Sequence, residues 1–323
     1  DERSPSFTVV PQKQFYHCFG CGVHGSALKF VMEYEGISFP DAIEQLAAQV
    51  GMQVPRENGR AAEDDRLAPL YAVMAEATQY FREELAGSER GRAYFERRQV
   101  SAEMIERYAL GYAPDRWDGL LQKLGRTPER VKVLAAAGLL SQRDNGHSYD
   151  KFRDRVMFPI HDRRGRSIAF GGRILDQGEP KYLNSPETAL FHKGRELYGL
   201  WQARQSAQKL KRLLVVEGYM DVVALAQHGV EEAVATLGTA TTREHAELLF
   251  RNAEDVVFCF DGDRAGRQAA WRALESTLPR LKDGRQAYFL FLPDGEDPDT
   301  LVRKEGAEGF RARMQQSMPL SDY

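Results

Sequence analysis

The spacing of apolar positions changes along the chain, and the changes mark its organisation. From Leu213 onward, short apolar runs alternate with amphipathic stretches: LLVVE, MDVVALAQHG, EAVATLG, TREHAELLFRNA, DVVFCFD, RAGRQAAWRALESTLPRL and AYFLFLP. Short, near-continuous apolar runs read as strands buried on both faces, and the longer segments between them as helices. Such alternation predicts a parallel α/β sheet covered on both sides.

Upstream the period differs. RVMFPI and SIAFGGRIL flank an Asp-Arg-Arg-Gly turn and predict a β-hairpin, and Gly171-Gly172 within it predicts a bulge or a close backbone approach to a ligand. The following KYLNSPETALFHKGRELYGL reads as loop. An apolar stripe of Leu70, Val73, Met74, Ala77, Tyr80 and Phe81 predicts a helix, with shorter helices after it capped at Ser101 and Thr127. At the N-terminus FTVV and KQFYHCF read as strands turned at Pro11, followed by helices over SALKFVMEYEG and FPDAIEQLAAQVG. PRENGRAAEDD has almost nothing apolar and predicts a linker. The expected division is therefore 1–54, a linker at 55–66, a mixed α+β part at 67–210, the parallel α/β sheet at 211–300, and the start of a helical part at 301–323.

Composition narrows the class. The 323 residues are 42% hydrophobic and 28% charged, enough for a sizeable buried core. No apolar run approaches the roughly 18 residues of a membrane span, and the opening DERSPSFTVV has no secretory pattern. Three cysteines cannot build a disulfide framework, so a reducing cytoplasm is expected. The net charge of −3 conceals a strong segregation. Residues 143–212 hold 15 Lys and Arg against 8 Asp and Glu, whereas 213–323 hold 12 against 19. A basic block beside an acidic one suits a polyanion groove adjoining carboxylates that collect cations.

Those carboxylates fall where open parallel sheets gather ligands, at the carboxyl ends of strands. Glu217 follows LLVV, Asp261 and Asp263 follow VVFCF, and Asp297 and Asp299 lie in PDGEDPD beyond AYFLFLP, with Gly218, Gly262 and Gly295 beside them. A lone Asp-x-Asp is usually an acidic turn; three strand ends delivering acids to one edge is a stronger signal. Oxygen-only ligands suit Mg²⁺ or Mn²⁺, and two such ions about 4 Å apart assist in-line displacement at phosphorus.

Cys18 and Cys21, with Gly20 and Gly22, form half of a zinc ribbon, since a structural site takes four ligands. His17 and His24 flank the pair as ordinary ribbon residues or substitute ligands. Phe15, Tyr16 and Phe19 beside Lys13 suit either the stacking of single-stranded bases or the filling of a small core, with equal weight. Cys259 reads as a core residue, His245 and His228 as surface or capping residues, and His192 as a candidate phosphate contact.

VVEGYMDVVAL, FDGDRAGRQAAWRALE and LPDGEDPDTLVRKEG closely resemble the TOPRIM domain of DnaG-type bacterial primases. FRDRVMFPI, IAFGGRIL and the KYLNSPET to LFHKGRELYGL stretch resemble the basic part of their polymerase domain, and QFYHCFGCG the second half of their zinc-binding domain. The resemblance runs from Asp1 to Tyr323. It implies RNA primer synthesis from nucleoside triphosphates on single-stranded DNA, with two or more Mg²⁺ or Mn²⁺ ions. Glu217 is implied as general base or metal organiser and Asp261, Asp263, Asp297 and Asp299 as metal ligands, the last pair also serving the triphosphate. Arg173, Lys181, Asn184 and Lys193 match the basic loop, and Arg98, Lys151, Arg153 and Arg155 are further candidates on the same groove. Zinc is implied in the intact protein, its other ligands a Cys-x-x-His pair expected just before Asp1. A replicative helicase reached through a further C-terminal domain, single-strand-binding protein as a second partner, and a monomer complete the expectation. A TOPRIM topoisomerase or nuclease and a noncatalytic single-strand-binding adaptor are the alternatives.

Overall fold

The computed structural model describes residues 6–35, 37, 39–52, 54, 58–143, 146–176, 178–207, 209–282 and 284–323, with the backbone alone for 58–65. The chain forms two compact units, residues 1–63 and 64–323.

In the first unit β1 (Phe7–Val10), β2 (Phe15–Cys18) and β3 (His24–Gly25) form an antiparallel sheet, followed by α1 (Ala27–Tyr34) and α2 (Phe39–Gln49). The turn at Pro11 pairs Val9 with Tyr16. Tyr16 is buried, stacked on Phe7 at 5.4 Å and edge-on to Phe30 at 5.4 Å, so it fills the small core. Phe19 stands 73% exposed on the knuckle.

Helix α3 (Asn58–Gly87) begins in the last residues of the first unit and continues into the second. The expected linker is thus helical from Asn58, because Arg60-Ala-Ala-Glu are good helix formers whatever their polarity; residues 55–57 lie outside the described residues. Helices α4 (Glu89–Arg97) and α5 (Ala102–Arg107), strand β4 (Gly111–Ala113), helices α6 (Gly119–Leu124) and α7 (Pro128–Ala136) and the small hairpin β5 (Leu140–Gln142) and β6 (Ser148–Asp150) follow. Ser101 and Thr127 cap α5 and α7 as expected. The predicted hairpin is β7 (Arg155–His161) and β8 (Ser167–Ile174), closed by Gly165 N–H donating to the Asp162 carbonyl. Its bulge lies at Ile160/His161 and not at the paired glycines. Within the segment read as loop, β9 (Tyr182–Asn184) adds a strand to β8, giving the antiparallel order β4-β7-β8-β9. Three residues are too short a run to show a period.

After α8 (Leu200–Ser206) the alternation predicted from Leu213 appears: β10 (Arg212–Val216), α9 (Tyr219–Gln227), β11 (Ala233–Ala235), α10 (Arg243–Asn252), β12 (Asp255–Phe260), α11 (Arg264–Thr277), β13 (Gln286–Phe291), α12 (Pro298–Gln315) and β14 (Met318–Pro319). The sheet order is β11-β10-β12-β13-β14, parallel except for the last strand. Strand side chains alternate between two cores. Leu214, Val216, Val257 and Cys259 pack with Val222 and Leu225 of α9 and Val302 and Phe310 of α12. Leu213, Val215, Val256 and Phe258 pack with Leu249 of α10 and Ala270 and Ala273 of α11. Residues 301–323, expected to begin a separate helical part, instead finish this layer: α12 lies on α9, and β14 closes the sheet edge.

Candidate active site

The carboxyl ends of β10, β12 and β13 open into a cavity of about 410 Å³, lined on one side by Glu217, Asp221, Asp261, Asp297 and Asp299 and on the other by Arg98, Arg173 and Lys181. Acids from the sheet therefore face bases from the upstream α+β part.

The acids are not equivalent. Asp263 caps α11, its Oδ1 accepting from Gly266 N–H at 2.7 Å, and Asp297 caps α12 by accepting from Thr300 N–H at 2.7 Å. Each thus has one oxygen engaged at a helix N-terminus. Asp299, only 4% exposed, is paired with Arg303 at 2.6 Å and Arg98 at 3.7 Å. Among the described residues the Glu217 and Asp261 carboxylates have neither a hydrogen bond nor an ion pair. Partial burial holds both above the usual carboxylate range, reinforced at Glu217 by the charges of Asp261 and Asp263 and at Asp261 by Asp263 and Asp297. Asp221, which sequence reasoning missed, accepts from Gly218 N–H at 3.1 Å, and burial followed by the charges of Asp297 and Asp299 pushes it up to about 7. Its signal was its place four residues after Glu217, in the first turn of a helix opening on glycine.

Among the described residues no three His, Cys, Asp or Glu side chains close around a point as a ready-made cation shell. The donor chemistry still fits a divalent cation: Glu217 and Asp261 are all-oxygen, unpaired and mutually repelling, and positive charge relieves that repulsion.

The basic residues separate into groups. Arg173, on β8, donates to the Tyr94 hydroxyl and lies 5.2 Å from the Tyr94 ring and 5.8 Å from that of Tyr182. With Arg98 and Lys181 it faces the carboxylates. Arg155 is buried, and its Nη1 donates at 3.4 Å to the carbonyls of Gly172 and Lys181, beneath this wall. Asn184 does not line the cavity. Its amide donates to the Leu237 carbonyl at 2.8 Å and accepts from the Tyr219 hydroxyl at 2.7 Å, so its hydrogen bonds tie β9 to the sheet. Lys151 is lowered by burial and by the charge of Lys193, which places the two ammonium groups within electrostatic reach of each other, outside the cavity lining.

Arg153 belongs to a surface cluster absent from the sequence reading. Its guanidinium lies 4.3 Å from the ring of Trp117 and 5.1 Å from Tyr149, and Arg143 stands 4.5 Å from the same Trp117 ring. Trp117 is 54% exposed. Two guanidiniums within 4.5 Å of one half-exposed indole make a cationic, aromatic surface patch.

Gly171 does permit a close approach, that of the Tyr219 ring. His245 is fully buried: its Nδ1 accepts from Thr242 N–H while Nε2 donates to the Lys193 and Glu196 carbonyls, which pins the loop carrying Lys193. His192 pairs with Glu187 at 2.9 Å. Cys259 is buried in β12, its thiol pushed well up by burial, as a core residue should be.

In the first unit Cys18 and Cys21 flank a tight turn in which Gly22 N–H donates to the Cys18 carbonyl at 2.8 Å with φ +75°. A hydrogen bond with Ser6, then bonds from Cys21, bring the Cys18 thiol down to about 7, which favours the thiolate that binds zinc. These two cysteines fit half of a tetrahedral site.

A mostly parallel sheet with acids at its strand ends defines a TOPRIM-like unit, and a Toprim-like family model matches residues 214–302. Models of the DNA primase catalytic core N-terminal domain and of the CHC2 zinc finger match residues 80–204 and 1–62. The chain belongs to the DnaG-type bacterial primase family. It is 55% identical to the DNA primase of Escherichia coli K12 and 56% identical to that of Pseudomonas putida KT2440, over its whole length in each case. It spans about half the length of these relatives, 56% and 50% respectively. A solved DnaG primase catalytic domain bound to single-stranded DNA is 57% identical, with a TM-score of 0.76, covering 79% of this chain and 83% of that one. The zinc-binding and RNA polymerase domains of Aquifex aeolicus primase are 34% identical, with a TM-score of 0.72, covering 99% of this chain and 77% of that one. Among the described residues no helix is long and apolar enough to cross a membrane.

Proposed function

We propose that the protein is a primase that makes short RNA primers on single-stranded DNA from nucleoside triphosphates. The observation that carries this reading is the single cavity in which Glu217 and Asp261 face Arg98, Arg173 and Lys181. In each transfer the 3′-oxygen of the growing chain attacks the α-phosphorus of the incoming nucleotide, a P–O bond forms, and pyrophosphate leaves. Arg98, Arg173 and Lys181 bind and orient the triphosphate, Arg as a planar fork and Lys as a point charge. Glu217 and Asp261 would hold Mg²⁺ or Mn²⁺, and Asp263 and Asp297 would add the oxygen left free by their helix caps. A divalent cation bound there supplies charge neutralisation and makes the 3′-hydroxyl easier to deprotonate. The remaining task is positioning, which needs no protein nucleophile. Template bases stack on Trp117 while Arg153, Arg143, Lys151 and Lys193 take backbone phosphates.

The same reading gives Cys18 and Cys21 to a structural zinc completed by two further ligands, and gives the protein a role in cytoplasmic chromosome replication as a monomer. A replicative helicase and single-strand-binding protein are its partners. The test uses the full-length protein with single-stranded template, nucleoside triphosphates and Mg²⁺ or Mn²⁺. Short oligoribonucleotides form and disappear with Asp261→Ala, whereas DNA binding survives. DNA binding with no product from the unaltered protein would instead establish an adaptor.

A further inference from the structure

The ion pair that neutralises Asp299 is part of a larger junction. Helix α4 ends at Arg97, and Gln99 beyond it has φ +51°, a left-handed conformation that a residue with a side chain rarely adopts. One guanidinium reaches this bend from α12. Arg303 donates through Nε to Asp299 Oδ1 at 2.6 Å, through Nη1 to Gln99 Oε1 at 3.0 Å, and through Nη2 to the Arg98 carbonyl at 2.5 Å. The other Asp299 oxygen faces Arg98 Nη1 at 3.7 Å. Arg98 and Asp299 both line the cavity.

We propose that Arg303 is a positioning residue for nucleotide binding: it locks Asp299 onto the end of α4, and Asp299 in turn holds the Arg98 guanidinium at the cavity wall for the incoming triphosphate. The inference rests on the nucleotidyl-transfer reading and deepens it. Asp299 on this account acts through Arg98 and not as a cation ligand. Its carboxylate is buried between two guanidiniums, and turning it to a cation would break a charge-assisted hydrogen bond and leave Arg303 without its acidic partner. Glu217 and Asp261 have no such partner, and with the free oxygens of Asp263 and Asp297 they are the ones left for the cation. Only a fork of fixed geometry meets all three acceptors at once, so lysine cannot replace Arg303.

Gln227 offers a comparison at the same bend. It donates to the Gln99 carbonyl at 2.7 Å and accepts from Ser101 N–H at 2.7 Å, yet makes no hydrogen bond or ion pair with Asp299 among the described residues. The experiment takes the full-length protein and its Arg303→Gln, Arg303→Lys, Asp299→Asn and Gln227→Ala variants. Steady-state kinetics on single-stranded template, binding of a fluorescent ATP analogue, Mn²⁺ binding by electron paramagnetic resonance, and thermal unfolding are measured for each. Arg303→Gln and Asp299→Asn should each raise the nucleotide KM and weaken analogue binding about tenfold, the loss of one charge-assisted hydrogen bond, with kcat within about twofold. Arg303→Lys should recover only part of that loss. Mn²⁺ affinity should stay unchanged in all, and Gln227→Ala should lower the melting temperature without moving KM. Loss of Mn²⁺ affinity in Asp299→Asn would make Asp299 a cation ligand and overturn the proposal. So would an unchanged KM and analogue affinity in Arg303→Gln, or a KM rise in Gln227→Ala that matches it. If the unaltered protein makes no oligoribonucleotides, the primase reading fails, while analogue and Mn²⁺ binding still decide the role of Arg303.

Discussion

Gly171 and Tyr219 touch so closely that a methyl group on the glycine would stand 2.4 Å from the tyrosine ring. Gly171 lies on β8, two residues from Arg173, and Tyr219 opens α9, two residues after Glu217. The ring also stacks on Phe158 at 5.2 Å, and its hydroxyl donates to Asn184. The strand that carries the basic wall and the turn that carries the glutamate are thereby held in one register.

Gly171→Ala tests that register. The added carbon has no room without displacing Tyr219, so overpacking should cost about 1–3 kcal/mol of stability in urea unfolding. Primer synthesis should fall more than the fraction unfolded explains, because Glu217 moves relative to Arg173. Full activity with normal stability would show that the ring moves aside freely.

The Trp117 platform should separate two kinds of DNA contact. Trp117→Ala should weaken single-strand binding by about 1–3 kcal/mol at any salt concentration, the worth of one stacked base. Arg153→Ala should instead reduce the slope of log affinity against log salt by roughly one phosphate contact. Asn184→Ala should lower stability and leave DNA affinity nearly unchanged, since its amide is committed to Tyr219 and Leu237. Equal binding losses across the three variants would contradict this assignment.

His161 predicts a signature in acid. Burial pushes its imidazole down to about 4, against a small opposing pull from Asp162. The unfolded chain therefore takes up this proton first as pH falls. Stability from this residue is complete above about 6.5 and is lost as pH falls towards 4, by about 3 kcal/mol. Glu196, raised to about 7, and Asp150, raised to about 6, act with the opposite sign, since burial favours their protonated forms in the fold. Their contribution is complete below about 4 and is lost as pH rises through 6 to 7. Comparing His161→Gln with the unaltered protein isolates the histidine: the difference in unfolding free energy should change across pH 6.5–4 and be constant above it. A constant difference throughout would refute the shift.

Much of the sheet was legible because its strands are apolar on both faces and end in acids. The strands β10, β12 and β13 and the acids at their ends follow from that pattern, whereas their order in the sheet does not. The caps at Asp263 and Asp297 were also written locally, in Asp before Arg-Ala-Gly and in Asp-Pro-Asp-Thr, but both residues read more readily as ligands alone. Partnerships across long sequence separation were not legible. Nothing near Asp299 announces Arg98, and nothing near Trp117 announces Arg153; each pair exists because separate elements pack together. The internal hydrogen bonds of Asn184 are hidden for the same reason, since both of its partners, Tyr219 and Leu237, lie far along the chain. The helix beginning at Asn58 is hidden because its first turns are as polar as a linker, while their helix propensity governs.

The most direct measurement is anomalous diffraction from crystals of the protein soaked with Mn²⁺ and a nucleoside triphosphate. The account predicts manganese between Glu217 and Asp261, with the phosphates lying towards Arg98, Arg173 and Lys181. Manganese bound elsewhere, or phosphates held away from that basic wall, would contradict it.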